Sequence, residues 1–184
     1  MAASSPSESR RLFVACDLPP GTARDIAAWQ ERVLRPHRDL RVAATIHVTL
    51  CFLGGVEAHC VPAVEEALAD LRFGALDLDF GDLLFLPAHG PKRVVALELV
   101  DHGGALSALQ AGVSHALAER HLYTPGKRPF LPHVTVARYR HPGPPFSLQN
   151  VNVPRFGVSQ MVLYSSVLER AAAVHTPMAV FIAS

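Results

Sequence analysis

Two short segments of this chain carry the same chemistry: His47-Val48-Thr49-Leu50 and His133-Val134-Thr135-Val136. Each alternates a polar side chain with an aliphatic one. On a β-strand alternate side chains share a face. His47 and Thr49 therefore point one way and Val48 and Leu50 the other, and the second segment repeats the arrangement. The pattern predicts two strands, each burying an aliphatic face while presenting an imidazole and a hydroxyl together. Two imidazoles set across a cleft meet the demand of acid–base phosphoester chemistry: one takes a proton from the nucleophile and the other delivers one to the leaving oxygen. Imidazole suits both tasks because its unperturbed pKa, about 6.5, makes either charge state accessible near neutrality. The threonine hydroxyls beside them are donors for non-bridging phosphate oxygens.

Rival constellations are weaker. The chain has no H-E-x-x-H, no P-loop and no G-x-S-x-G. No Asp, Glu or Cys lies within two residues of either motif histidine, so no metal site is expected at His47 and His133. His115 and His121 are six residues apart, the wrong spacing for one helix face. They are expected on the surface, as are the isolated His37, His59, His89, His102, His141 and His175. Gly54-Gly55 and Gly103-Gly104 read as turn residues.

The elements that must position the two motifs emerge from periodicity and breakers. A strand is predicted over Leu12–Leu18, ended by Pro19-Pro20-Gly21, then a helix over Thr22–Leu34 with Thr22 as its cap and Pro36 as its stop. The first motif lies in a strand over Ile46–Leu53, followed by a helix over Ala58–Leu71. Strands are expected at Leu76–Phe80, Leu83–Leu86 and Arg93–Val100. The stripe Leu106, Leu109, Val113, Leu117 predicts a helix over Gly104–Leu122. A Gly/Pro-rich loop, 124–132, leads into the second motif strand, His133–Tyr139, and β-rich segments at Val151–Leu168 and Val174–Ile182 close the chain. The motifs are 86 residues apart, nearly half of 184, which marks a two-copy duplication rather than a solenoid. Helices and strands mix without strict βαβ alternation, so the expected class is α+β with mainly antiparallel sheets. If a pseudo-twofold relates the halves, the two His/Thr pairs face each other.

Composition sets the outer bounds. With 49% hydrophobic and 18% charged residues and a mean hydropathy of +0.21, the chain is not a disordered one. The reading is a short tail over Met1–Arg10 and one domain over 11–184. No apolar run is long enough for a membrane span, and the first ten residues lack a basic segment followed by an apolar core. Three cysteines (Cys16, Cys51, Cys60) with no C-x-x-C suit a reducing cytoplasm better than a disulfide scaffold. The net charge of +1 hides an asymmetry: residues 1–92 carry 9 Lys+Arg against 12 Asp+Glu, and residues 93–184 carry 8 against 4. Between Glu119 and Glu169 there is no acid, while Arg120, Lys127, Arg128, Arg138, Arg140 and Arg155 all lie there. Such a stretch suits an anionic ligand such as a phosphate. Nothing in the sequence demands more than a monomer.

These residues resemble the 2H phosphoesterase superfamily, named for its two H-x-T-x motifs, and within it the RNA 2′,3′-cyclic phosphodiesterase branch, also called the 2′-5′ RNA ligase family. Arg11-Leu-Phe-Val-Ala15 looks like the family's first strand, and His47-Val-Thr-Leu-Cys-Phe-Leu-Gly54 like its first motif. Arg128-Pro-Phe-Leu-Pro-His-Val-Thr-Val-Ala-Arg138 is similar to the R-P-F-x-P-H-x-T-x-A-R block, and Leu163-Tyr-Ser-Ser166 resembles the late strand. The departure is in the final hairpin, where the family often has a Gly and a Tyr and this chain reads Glu-Arg-Ala-Ala-Ala-Val-His over Glu169–His175. The resemblance implies two similar lobes, each an antiparallel sheet with outer helices, around a cleft. It implies hydrolysis of RNA 2′,3′-cyclic phosphate ends, or of cyclic nucleotides, to 2′-phosphomonoesters without metal or cofactor. By that analogy His47 is the proton donor to the 3′ oxygen, His133 the proton acceptor for water, and Thr49 and Thr135 bind phosphate oxygens. Phe52 and Arg138 would hold the terminal base. The motifs alone do not separate hydrolysis from 2′-5′ RNA ligation by the reverse chemistry, and a non-catalytic module binding RNA ends or nucleotides is the alternative of another class.

Overall fold

The computed structural model describes residues 9–168 and 173–184. In chain order the elements are β1 (Ser9–Asp17), α1 (Pro20–Trp29), β2 (Leu40–Val42), β3 (His47–Glu57), α2 (Val61–Ala69), β4 (Leu76–Leu86), β5 (Lys92–Asp101), α3 (Ala105–Glu119), β6 (His133–Gly143), β7 (Phe156–Val158), β8 (Gln160–Leu168) and β9 (Ala173–Ile182). Of the tail expected over Met1–Arg10, residues 1–8 lie outside the described residues, whereas Ser9 and Arg10 already pair with β3. Glu169–Ala172, in the segment that departs from the family pattern, also lie outside them.

The strands form a mixed-length, wholly antiparallel sheet in the order β7-β4-β5-β6-β3-β1-β8-β9, with β2 pairing on β6. Two lobes result from that order. One is β3-β1-β8-β9 and the other β6-β5-β4-β7, so the motif strands are the innermost of each. Among the described residues, β3 and β6 meet at one registered pair, Val48 opposite Val134. Both valines are fully buried. The expected duplication is thus a pseudo-twofold whose axis passes between these two side chains. The core runs beneath both lobes, from Leu12, Val14 and Leu163 through Val48 and Val134 to Leu78, Leu97 and Leu99. The helices contribute Ile26, Trp29, Val64, Leu68, Leu106, Val113 and Leu117.

Local differences from expectation have local causes. α1 starts at Pro20, two residues before Thr22; proline fits the first turn, and Thr22 is buried rather than capping. The helix ends in a π-helical turn, Gln30–Leu34. The two strands expected at Leu76–Phe80 and Leu83–Leu86 are one strand, β4, with an irregularity between Phe80 and Leu83. β2 was not expected, because three residues are too few to show a period. α3 is preceded by Gly103 and Gly104 at φ of +83° and +76°, a backbone that side chains resist. That turn lets the Asp101 carboxylate accept from the backbone N–H of Leu106 at 3.0 Å and of Ser107 at 2.8 Å.

Candidate active site

β3 and β6 begin at their histidines and share one burial pattern over their first nine residues. His47, Thr49, His133 and Thr135 are half-buried, while Val48, Leu50, Val134 and Val136 are buried beneath them. Because Val48 faces Val134 antiparallel, the register sets His47 across from Thr135 and Thr49 across from His133. The four side chains that the sequence singled out thus share one face at the junction of the lobes.

Phe52 and Arg138 reach the same face by a device the sequence did not reveal. Under strict alternation, a residue five positions after a histidine points to the opposite, buried side. In β3 the partners of β1 step from Thr49 to Cys51, and in β6 the partners of β5 step from Thr135 to Ala137. Leu50 and Val136 are therefore extra residues, and each bulge reverses the phase of the strand beyond it. Cys51 and Ala137 become buried. Phe52 is 67% exposed, and Arg138 is exposed as well. Phe52 is thus no core residue; its ring lies 5.8 Å from that of Phe13.

A glutamine reaches the carbonyl of the bulged residue in each lobe, and that of Val136 also accepts from the backbone N–H of Ala43 at 2.9 Å. Gln30, only 3% exposed, donates through Nε2 to the Val136 carbonyl at 2.8 Å and to that of Ala43 at 3.2 Å. Gln110 on α3 donates to the Leu50 carbonyl at 3.4 Å, a longer contact. Sequence reasoning missed both glutamines. The signal would have been a polar residue on the apolar stripe of each helix.

The two histidines differ in their surroundings. His133 lies 2.7 Å through Nδ1 from the Leu131 carbonyl. A carbonyl only accepts, so Nδ1 carries the hydrogen, and in the neutral ring Nε2 holds the lone pair. Nε2 is thus the ring nitrogen left open to a proton. His47 instead sits among rings: Phe13 at 5.1 Å, His175 edge-on at 5.6 Å and Tyr164 at 6.4 Å. Burial above all, then His175 and Arg138, push its pKa down to about 4, against the opposing pull of Asp17. Asp17 faces His47 across the β1–β3 pair and accepts the Tyr164 hydroxyl at 2.8 and 2.7 Å from its two oxygens. Burial and the Asp17 charge raise the Tyr164 phenol, which stays protonated.

A groove of about 410 Å³ opens beside His47, lined by Phe13, Asp17, Thr45, Tyr164 and His175 among others. His175 was expected on the surface; instead it is half-buried in this groove, its pKa lowered by burial and its Nδ1 enclosed without a hydrogen-bond partner. A lone histidine on β9 gave no sign of this, because β9 reaches the site only through β8 and β1. Other histidines also depart from a free surface: His37 stacks on Phe146 at 4.8 Å, and His102 pairs with Asp79 at 2.7 Å. Among the described residues, no group of three or more His, Cys, Asp or Glu converges as metal ligands would.

Known proteins share this arrangement of chain. The RNA 2′,3′-cyclic phosphodiesterase of Escherichia coli strain K12 is 30% identical over 181 residues, 94% of this chain and 96% of the relative. That of Thermus thermophilus is 32% identical over 148 residues, 73% of this chain and 71% of the relative. Among solved structures, E. coli LigT complexed with 3′-AMP superposes with a TM-score of 0.83 at 26% identity, covering 96% of this chain and 99% of that one. The profile of the 2′-5′ RNA ligase superfamily matches residues 18–166, a span that takes in both motif strands, and to that superfamily the chain belongs.

Proposed function

We propose that this protein hydrolyses the 2′,3′-cyclic phosphate at RNA ends, leaving a 2′-phosphomonoester, by acid–base catalysis without a metal. The observation that carries this is the crossed register, His47 opposite Thr135 and Thr49 opposite His133, with the His133 Nε2 lone pair free for a proton. Water attacks phosphorus as its proton passes to His133 Nε2; the bond from phosphorus to O3′ breaks as His47 gives its proton to that oxygen. Thr49 and Thr135 hold the non-bridging oxygens, and exposed Phe52 and Arg138, brought onto the same face, hold the terminal base. The curated relatives are phosphodiesterases of this substrate class, and LigT has been solved with 3′-AMP, a terminal nucleotide bearing a phosphate.

The reverse reaction uses the same groups, with an RNA 5′-hydroxyl in place of water; bulk water favours hydrolysis. No helix of the described residues is long and apolar enough to cross a membrane. Cys16, Cys51 and Cys60 are free thiols, and burial raises the first two to about 12 and about 11. We infer a monomer in a reducing cytoplasm, the compartment that free thiols suit. The test is product analysis on an oligoribonucleotide ending in a 2′,3′-cyclic phosphate. A 2′-phosphate end should accumulate, and His47→Ala and His133→Ala should each lose roughly 100-fold or more in rate. A 3′-phosphate product, or full activity in either variant, would overturn the assignment.

A further inference from the structure

We propose that the protein binds the RNA upstream of the reacting nucleotide in a second, arginine-lined groove, so that its substrate is an oligonucleotide end rather than a free cyclic nucleotide. This rests on the function proposed above and extends it from one nucleotide to a chain. The groove has a volume of about 410 Å³ and is lined by Arg35, His37, Arg38, Arg41 and Arg140, with Leu40 and Val42. Four arginines therefore line one depression with no carboxylate among its lining side chains; Arg35 is paired outside that lining with Glu31, one helical turn earlier.

Its position relative to the cleft points to the occupant. Past the Val136 bulge, Arg138 and Arg140 are exposed on alternate residues of β6, continuing the face that begins with His133 and Thr135. β2 lies alongside, with Arg41 directly opposite Arg138. Arg138 is close enough to His47 to depress its protonation. The catalytic strand thus runs without interruption from the acid–base pair onto a basic track. From His133 to Arg140 the strand covers roughly 20 Å at its usual rise. A mononucleotide held in the cleft cannot span that distance; the 5′ side of an RNA chain leaving the cleft can.

The track is built to hold phosphates in register. The Arg140 guanidinium is fixed by Nε donating to the Arg38 carbonyl at 3.0 Å, and its backbone N–H donates to the Asp39 carbonyl at 2.8 Å. Asp39 enters this loop through its backbone and does not line the groove. His37 stacks with one face on Phe146, which in turn meets Tyr139. Arginines interleaved with a stacked ring are the means by which single-stranded nucleic acid is bound without reading its sequence. The sequence concealed this surface because its arginines come from both charge halves: Arg35, Arg38 and Arg41 belong to the acid-rich first half. Two cations of the basic stretch, Arg120 and Arg155, are instead spent on Asp70 and Asp77.

The test compares two substrates: a mononucleoside 2′,3′-cyclic phosphate and a ten-nucleotide RNA ending in the same group. Wild type should turn over the oligonucleotide with the higher kcat/KM, with a rate that falls steeply with salt. Arg38→Ala/Arg140→Ala should lose about tenfold or more on the oligonucleotide, and its log–log salt slope should shrink by about 1.4, two phosphate contacts on a single strand. Turnover of the mononucleotide should stay within about twofold, and Arg38→Lys/Arg140→Lys should keep most of the salt slope, which separates lost charge from a disturbed fold. Equal losses on both substrates, or no loss on the oligonucleotide, would overturn the groove as an RNA site. If wild type cleaved neither substrate, the proposed function would fail on its own. The groove would then stand or fall on whether the Ala double variant weakens binding of an uncyclised ten-nucleotide RNA by fluorescence polarisation.

Discussion

Burial holds the His47 imidazole unprotonated near neutral pH, and an anionic ligand should reverse this. His47 has a pKa of about 4, so at pH 7 about one molecule in 1,000 carries the imidazolium. A cyclic phosphodiester brings one negative charge. At about 4 Å from the ring, with an effective dielectric of about 20, that charge favours the imidazolium by about 4 kcal/mol. This is about a thousandfold in the protonation equilibrium, and the two factors nearly cancel. The substrate should therefore protonate its own acid, and near pH 7 His47 should be roughly half protonated only when phosphate is bound. The assay is NMR titration of the histidine ring carbons, with His47 assigned by its loss in His47→Gln. In the free protein the His47 signal should stay in the neutral position from pH 8 to pH 5.5. With saturating nucleoside 2′-monophosphate, whose charge is at least as large, it should move to the protonated position within that range. A free-protein midpoint near pH 6.5, or a ring still neutral at pH 6 with nucleotide bound, would refute the reasoning.

The same depressed group makes stability depend on pH. The folded protein binds fewer protons than the unfolded chain between pH 6.5 and about 4. Urea stability should therefore be full above pH 6.5 and fall through that window, with a shallower fall in His47→Gln. Thr49→Val or Thr135→Val should lower kcat by roughly 10- to 100-fold, the size of a lost hydrogen bond to a charged oxygen, with an unchanged melting temperature. Gln30→Leu removes two hydrogen bonds, to the Val136 and Ala43 carbonyls, while the Val136 carbonyl keeps the Ala43 N–H; the cost should be about 1–2 kcal/mol, read as a fall in Tm of a few degrees by calorimetry. A substrate analogue with a nitrophenolate leaving group, bound where O3′ sits, should rescue His47→Ala and leave His133→Ala inactive; equal rescue of both would show that donor and acceptor are misassigned.

That His47, Thr49, His133 and Thr135 share one face was legible because alternation on a strand is a local rule, and all four obey it. So was the duplication, whose two copies differ by one aliphatic residue in four. Beyond reach lay every feature that depends on pairing across the sheet. The bulges at Leu50 and Val136 are visible only against β1 and β5. They alone explain why Phe52 and Arg138 are exposed on the motif face instead of buried. His175 and Tyr164 reach the site from strands far along the chain, through a sheet order that no spacing encodes. The basic groove stayed hidden for a related reason: a balance of charge along the chain is blind to β2, which sets Arg41 opposite Arg138 from the other half.

The sheet order also dictates when the protein becomes active as it leaves the ribosome. The lobe of β4, β5, β6 and β7 is drawn from one uninterrupted stretch, residues 76–158, and can form its ladders before synthesis ends. The other lobe joins β1 and β3 to β8 and β9, so both ends of the chain must be present. Until β8 emerges, Phe13 has no Tyr164 to stack on and Asp17 no phenol to bind. His47 then waits on an unfinished lobe beside a finished one carrying His133. The nascent protein thus completes the lobe of His133 first and the surroundings that desolvate His47 last.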